Sequence, residues 1–360
     1  MEIKRRKSRR VNVGAVQIGD GAPVSVQSMT KTDTRDVEGT VRQIERLQEA
    51  GCDIVRVAVP DVEAAEALKL IRRAARAPLV ADIHFNYRLA LLALDAGVDK
   101  LRINPGNIGP RSRVEEIARE ASMRGVPIRV GVNAGSLDRG LLDKYGGRTA
   151  EALAESAIES ARILEDAGFG DIVISLKASD PATTIDAYRL VAQACDYPLH
   201  VGLTEAGSPR SGTVKSAIVI GLLLAEGIGD TIRVSLTGDP VEEVRVGKEI
   251  LMTLGMRRRE VEIISCPTCG RCRVDLREVV REVEDRIPGI LPNLRAPLKV
   301  AIMGCEVNGP GEARDADVGL ACGKGGGALF VKGEIARRLG EDEFVDALVD
   351  EIRRLGGSSD

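Results

Sequence analysis

Eight short apolar runs, each followed by an amphipathic stretch, constrain this chain more than any other feature. The runs are Val24–Met29, Ile54–Ala58, Leu79–Asp82, Lys100–Ile103, Ile128–Gly131, Ile172–Leu176, Leu199–Leu203 and Thr231–Leu236. Between them apolar residues recur at helical spacing, as in Val41, Ile44 and Leu47, or Leu89, Leu92 and Ala96. Strand then amphipathic helix, repeated, is the rhythm of a parallel sheet whose crossovers cover its faces. Four stretches also end alike: Glu49-Ala-Gly-Cys-Asp53, Asp95-Ala-Gly-Val-Asp99, Asp166-Ala-Gly-Phe-Gly-Asp171 and Ala225-Glu-Gly-Ile-Gly-Asp230. In each a glycine suits the left-handed residue that closes a helix before the chain turns into the sheet. Eight such units predict an α/β fold, a (β/α)8 TIM-type barrel. A doubly wound open sheet usually has fewer strands and a Gly-rich phosphate loop after the first, which this sequence lacks. The fifth connection is the longest, and Ser136–Gly147 reads as a loop added over one mouth.

The rhythm breaks after the eighth run, which places a barrel domain in residues 1–250 and a second domain in 251–360. Val261–Ser265, Leu298–Met303, Asp317–Ala321 and Ala328–Val331 read as strands, with helices over Asp275–Arg286 and Glu341–Leu355. This is a small α+β domain. It holds Cys266-Pro-Thr-Cys269-Gly-Arg-Cys272 just past one strand and Gly304-Cys305 just past another, four of the chain's seven cysteines. A C-x2-C pair with a distant third thiol is compatible with a zinc ribbon or an iron–sulfur cluster, and the spacing alone does not choose.

Charge and hydropathy exclude several classes. A formal net charge of −3 gives no global preference for nucleic acid or membrane. No run approaches the roughly 20 apolar residues of a bilayer span, and the basic start Lys4–Arg10 is not followed by an apolar signal core. An odd, uneven cysteine count argues for reduced thiols, so a cytoplasmic setting is expected. The basic arm itself reads as a solvated terminus.

Four of the runs carry an arginine flanked by apolar residues: Arg56, Arg102, Arg129 and Arg233. Both faces of a barrel strand are covered, so a guanidinium there costs several kcal/mol unless something anionic meets it. One such arginine is explained by a carboxylate partner; four in one register, joined by Lys177, are not. Guanidinium forks grip phosphate oxygens, and sites in this architecture lie at the C-terminal strand ends. The pattern predicts a pocket for a small molecule with more than one phosphate. Asp82, His84, Asn104, Asn133, Thr204, Glu205 and Ser235 sit at or just past the same strand ends, where they can orient hydroxyls or move protons.

Taken in order, Val26-Gln-Ser-Met-Thr30, Ala81-Asp-Ile-His84, Leu101-Arg-Ile-Asn-Pro-Gly-Asn107, Gly131-Val-Asn-Ala-Gly-Ser136, Gly202-Leu-Thr-Glu-Ala-Gly207, Ser265-Cys-Pro-Thr-Cys-Gly-Arg271 and Gly304-Cys-Glu-Val-Asn-Gly-Pro-Gly-Glu312 closely resemble the bacterial two-domain 4-hydroxy-3-methylbut-2-enyl diphosphate synthases of the methylerythritol phosphate route to isoprenoids. The resemblance implies a 4Fe-4S cluster held by Cys266, Cys269, Cys305 and Glu312. It implies the substrate 2-C-methyl-D-erythritol 2,4-cyclodiphosphate, opened and dehydroxylated with electrons from flavodoxin or ferredoxin. By matching position, Arg56, Arg102, Arg129 and Lys177 hold phosphate, Asp82, His84, Asn133, Arg233 and Ser235 orient the rest, and Glu205 relays a proton. A homodimer is implied, the cluster domain of one subunit capping the barrel of its partner.

Two rivals stay open at this point. A phosphate-binding barrel with a structural zinc ribbon needs Cys272 as a ligand and leaves Glu312 idle. A pterin-type transferase keeps the barrel and has no need of Cys266. Cys272 leads into a helix, where one turn points it away from the other thiols, and Cys52, Cys195 and Cys322 read as small apolar packing residues.

Overall fold

The computed structural model describes residues 3–290, 294 and 296–357. The chain divides into two compact units, Met1–Arg257 and Arg258–Asp360.

The first unit opens with an antiparallel hairpin of β1 (Val11–Val13) and β2 (Val16–Ile18). Eight parallel strands follow: β3 (Ser25–Met29), β4 (Ile54–Ala58), β5 (Leu79–Asp82), β6 (Lys100–Ile103), β7 (Ile128–Asn133), β8 (Ile172–Lys177), β9 (His200–Val201) and β10 (Thr231–Ile232). Their order is β8-β7-β6-β5-β4-β3-β10-β9, and a parallel bridge from Ile174 to Leu199 brings β8 to β9 and completes the ring. Helices, most of them with side-chain-capped N-termini, separate the strands, as expected of a TIM-type barrel. In the helix Val37–Glu49, for example, Asp36 caps the Gly39 N–H and the face of Ile44 and Leu47 is buried.

The last two barrel strands are shorter than their apolar runs. The ladder reaches one residue further, through the Arg233 N–H to the Val201 carbonyl at 2.9 Å, and then gives way to irregular backbone that carries Thr204 and Ser235. The added segment of the fifth connection is not an open loop: it forms the helix Arg139–Tyr145, which Asp138 caps.

The hairpin buries Val13 and Ile18 against Ile54 and Val80, near the strand starts. The basic arm before it is docked rather than solvated. Arg6 donates to the carbonyl of Cys195 at 2.6 Å, and Arg9 lies 4.2 Å over the Tyr197 ring with its Nε 2.7 Å from Asp196. Asp230, 4% exposed, is the anchor. Its carboxylate accepts from Arg5 at 3.0 Å, Ser8 at 2.8 Å and the Leu199 N–H at 2.9 Å. Sequence reasoning missed this because the partners lie roughly 190 to 225 residues downstream.

The second unit is a five-stranded mixed sheet, β11 (Val261–Ser265), β12 (Leu298–Met303), β13 (Val318–Gly323), β14 (Gly326–Val331) and β15 (Glu334–Leu339), in chain order. The first three are parallel and the last two antiparallel. The helices Leu276–Arg286 and Phe344–Gly357 bury Leu276, Val283, Phe344, Leu348 and Ile352 against Val300, Ile302 and Leu320. The edge strand β15 is absent from the sequence reading: all of its residues but Leu339 are exposed, so no apolar alternation marks it. Among the described residues no helix is long and apolar enough to cross a membrane.

Asp230→Ala strands the Arg5 guanidinium and removes acceptors from Ser8 and Leu199. It is expected to cost about 3 kcal/mol of stability, read by equilibrium denaturant unfolding.

Candidate functional site

The strand register places the cationic side chains beside one another. Arg102 pairs with Arg129 across β6 and β7, Asp82 with Arg102 across β5 and β6, and Met29 with Arg56 across β3 and β4. A solvent-connected cavity of about 100 Å³ lies there, lined by Arg56, Asp82, His84, Arg102, Arg129, Asn133, Lys177, Arg233 and Ser235, with Ser175 and Thr204. Every barrel residue expected to touch substrate is in that lining except Glu205. Glu205 follows Thr204, is exposed, and has a left-handed backbone (φ 52°) rare for a residue with a side chain.

Within the lining, five cationic side chains face one carboxylate. Asp82 lies 3.3 Å from Arg102, 3.8 Å from Arg56 and 3.4 Å from the His84 ring. Burial alone would raise its carboxyl, but Arg56, His84 and Arg102 hold it well below the usual carboxylate range. Lys177 is pushed well below the lysine range by burial and by the arginines around it. Burial, with Arg56 adding to it, brings Arg233 down to about 10. Arg129 is 1% exposed; it reaches only Gln27 Oε1, at 3.4 Å, and its Nε has no acceptor among the described residues. Donors left over beside a cavity are what an incoming oxyanion satisfies.

Room for these long side chains comes from small neighbours. A Cβ on Gly131 would stand 2.3 Å from Arg102 Nε, and Arg102 donates to the Gly131 carbonyl at 3.2 Å. Several supports escaped the sequence reading: Arg56 donates to Met29 Sδ at 2.8 Å, Gln27 meets Arg129, and Glu243 lies 3.6 Å from Arg233. Gln27 and Met29 alternate on a strand already found, so β3 periodicity was the available signal. Glu243 comes from the first turn of an ordinary amphipathic helix, where an acidic residue is commonplace and carries no signal.

In the second unit, β11 and β12 are parallel with Ser265 opposite Ile302, so the turns holding Cys266 and Cys305 leave the sheet side by side. The Gly304 N–H donates to Cys266 Sγ at 3.3 Å. Cys305 is held below the ordinary thiol range, chiefly by the backbone N–H groups of Asn308, Val307 and Gly309. Glu312 lies in the following helix, Gly309–Arg314, and is exposed, as is Cys269. Among the described residues no three side chains of His, Cys, Asp or Glu type converge on one metal position. The donor set nonetheless suits a thiolate-held cluster: two adjacent turns offer soft ligands, one already biased towards thiolate, and a carboxylate follows on the second.

Cys272 donates to the Val274 carbonyl at 3.3 Å but has not turned clear of the neighbouring turn: a Cβ on Gly304 would stand 2.4 Å from its sulfur and 3.4 Å from that of Cys266. Burial pushes the Cys52 and Cys322 thiols up to about 12, and Cys195 is also raised by burial. Thiols so shifted are poor ligands and nucleophiles.

Residues 8–248 match the model of the GcpE TIM-barrel domain, and residues 262–354 that of the GcpE protein C-terminal domain. The chain belongs to the GcpE family. A 4-hydroxy-3-methylbut-2-en-1-yl diphosphate synthase (flavodoxin) from Symbiobacterium thermophilum is 60% identical over 352 residues, 98% of this chain and 94% of that protein. A protein of the same name from Thermodesulfovibrio yellowstonii is 58% identical, covering 98% of this chain and all of its own length. A dihydropteroate synthase from Xanthomonas albilineans aligns with 69% of this chain and 98% of its own, at a TM-score of 0.49 and 17% identity. The GcpE models cover both units, and this membership sets aside the zinc-ribbon and pterin-transferase readings.

Gly304→Ala would drive a methyl group into Cys272 and crowd Cys266. It is expected to destabilise the second unit by about 1–3 kcal/mol, with Gly304→Ala/Cys272→Ala recovering most of the loss, as followed by denaturant unfolding.

Proposed function

We propose that the barrel mouth binds the two linked phosphates of 2-C-methyl-D-erythritol 2,4-cyclodiphosphate and that the cysteine turns of the second unit hold a 4Fe-4S cluster through Cys266, Cys269, Cys305 and Glu312. The observation that carries this reading is the lining itself, five cationic side chains and a single carboxylate around one small cavity. The reaction opens the cyclic diphosphate and expels a hydroxyl as water, consuming two electrons and two protons, and yields 4-hydroxy-3-methylbut-2-enyl diphosphate. When bound, the cluster supplies electrons one at a time and a Lewis-acidic iron.

The chain's own residues do the rest. Arg102 and Arg129, adjacent in register, grip phosphate oxygens together with Arg56 and Lys177. Arg233 and Ser235 close the other side of the cavity, and Asn133 and His84 orient the carbinol oxygens. Asp82 stays ionised and fixes Arg56, Arg102 and His84 relative to one another. Glu205 delivers a proton to the departing hydroxyl oxygen; its strained backbone supports a functional placement. Flavodoxin, named in the relatives, is the proposed electron donor.

The proposed assembly is a homodimer with a shared site. Val214, Ile218 and Leu222 support it, forming an exposed apolar stripe at helical spacing on the first unit's helix Pro209–Ala225. Light scattering that returns a monomer at micromolar concentration contradicts it.

The test is an anaerobic turnover assay with the cyclodiphosphate and a strong one-electron reductant. Cys305→Ser and Cys266→Ser are expected to lose iron and activity, while Cys272→Ser keeps both. Glu205→Gln is expected to lower kcat by about 100-fold or more with KM little changed. Undiminished turnover of Glu205→Gln removes that residue from the mechanism, and stoichiometric zinc in the purified protein overturns the cluster.

A further inference from the structure

The helix Pro240–Thr253, which follows β10, turns one carboxylate inward behind the cavity. Glu243 is 1% exposed and does not belong to the cavity lining, yet four groups meet at its two oxygens. Oε1 accepts from the Leu236 backbone N–H at 3.1 Å and lies 3.1 Å from Lys31 Nζ. Oε2 accepts from Ser28 Oγ at 3.0 Å and stands 3.6 Å from Arg233 Nη2. Lys31 in turn donates to the Leu236 carbonyl at 2.7 Å. One buried carboxylate thereby ties the end of β3, the segment after β10 and the helix into a single unit behind Arg233 and Ser235.

Among the described residues Glu243 is the one carboxylate within ion-pair reach of Arg233, whose Nε has no acceptor. The remaining carboxylate of the site, Asp82, is taken up by Arg56, Arg102 and His84. An arginine in a barrel needs a fixed direction to act as a fork, and a flexible one loses its geometric advantage over lysine. Anchoring from behind leaves the forward donors of Arg233 free for a ligand. We propose that Glu243 is a positioning residue for diphosphate recognition: without touching substrate, it holds the Arg233 guanidinium and the adjoining Ser235 segment at the geometry the phosphates require. This rests on the reading of the mouth given above.

The test measures the dissociation constant of the cyclodiphosphate for the full-length holoenzyme without reductant, alongside KM and kcat under turnover. Glu243→Gln is expected to weaken binding by about tenfold and raise KM in parallel, with kcat within about twofold of wild type. Glu243→Asp, which keeps the charge and retreats by one methylene, is expected to lose about threefold. In an Arg233→Met background the Glu243→Gln change is expected to add less than about twofold, because a residue that acts through Arg233 has nothing left to position. Unchanged or tighter binding by Glu243→Gln overturns the proposal, as does a tenfold loss that persists without Arg233. If Arg233→Met itself leaves binding unaltered, the reading of the mouth fails, and the role of Glu243 with it.

Discussion

Buried positive charge without matching negative charge is the condition on which the barrel is built. Arg56, Arg102, Arg129, Lys177 and Arg233 line one cavity of the barrel, and Lys100, fully buried at the start of β6, has no hydrogen-bond partner for its amine among the described residues. Removing a guanidinium from water costs several kcal/mol unless it is paired. Two carboxylates offset part of that cost, Asp82 inside the cavity and Glu243 behind it. Burial and mutual repulsion push Lys100 and Lys177 towards their neutral forms, which relieves more. What is left over is positive charge around a cavity, which the proposed doubly charged phosphate ligand would offset.

The same economy shapes the backbone. Strands β9 and β10 stop after two residues each, and the chain beyond them bends to carry Thr204, Arg233 and Ser235 to the mouth. Gly131 leaves the space that Arg102 fills. In the second unit a glycine again decides the matter, since Gly304 lets the sulfurs of Cys266 and Cys272 approach the neighbouring turn. In both places a residue without a side chain leaves room for a long or reactive one.

Much of this was legible in the sequence because its signals are local. An arginine between apolar neighbours, a C-x2-C turn after an apolar run, and a glycine closing four of the amphipathic stretches are readable within a few residues. Four strands share the arginine, which made the pocket visible before any coordinate. What stayed hidden depends on distant partners. Arg5 and Arg6 looked like a solvated tail because Asp230 and Cys195 are far along the chain. The strand β15 went unassigned because all of its residues but Leu339 are exposed and it sits at a sheet edge. Glu243 looked like one more acid on a helix, and only the register of the barrel turns it towards Arg233.

The most direct measurement concerns Arg129, fully buried, with an Nε that has no acceptor among the described residues. If the barrel tolerates uncompensated charge only to receive an anion, Arg129→Met is more stable than wild type in the absence of ligand, by about 1–3 kcal/mol in denaturant unfolding, and binds the cyclodiphosphate at least about tenfold more weakly. A variant that is less stable than wild type and binds the ligand equally well contradicts the charge argument at its root.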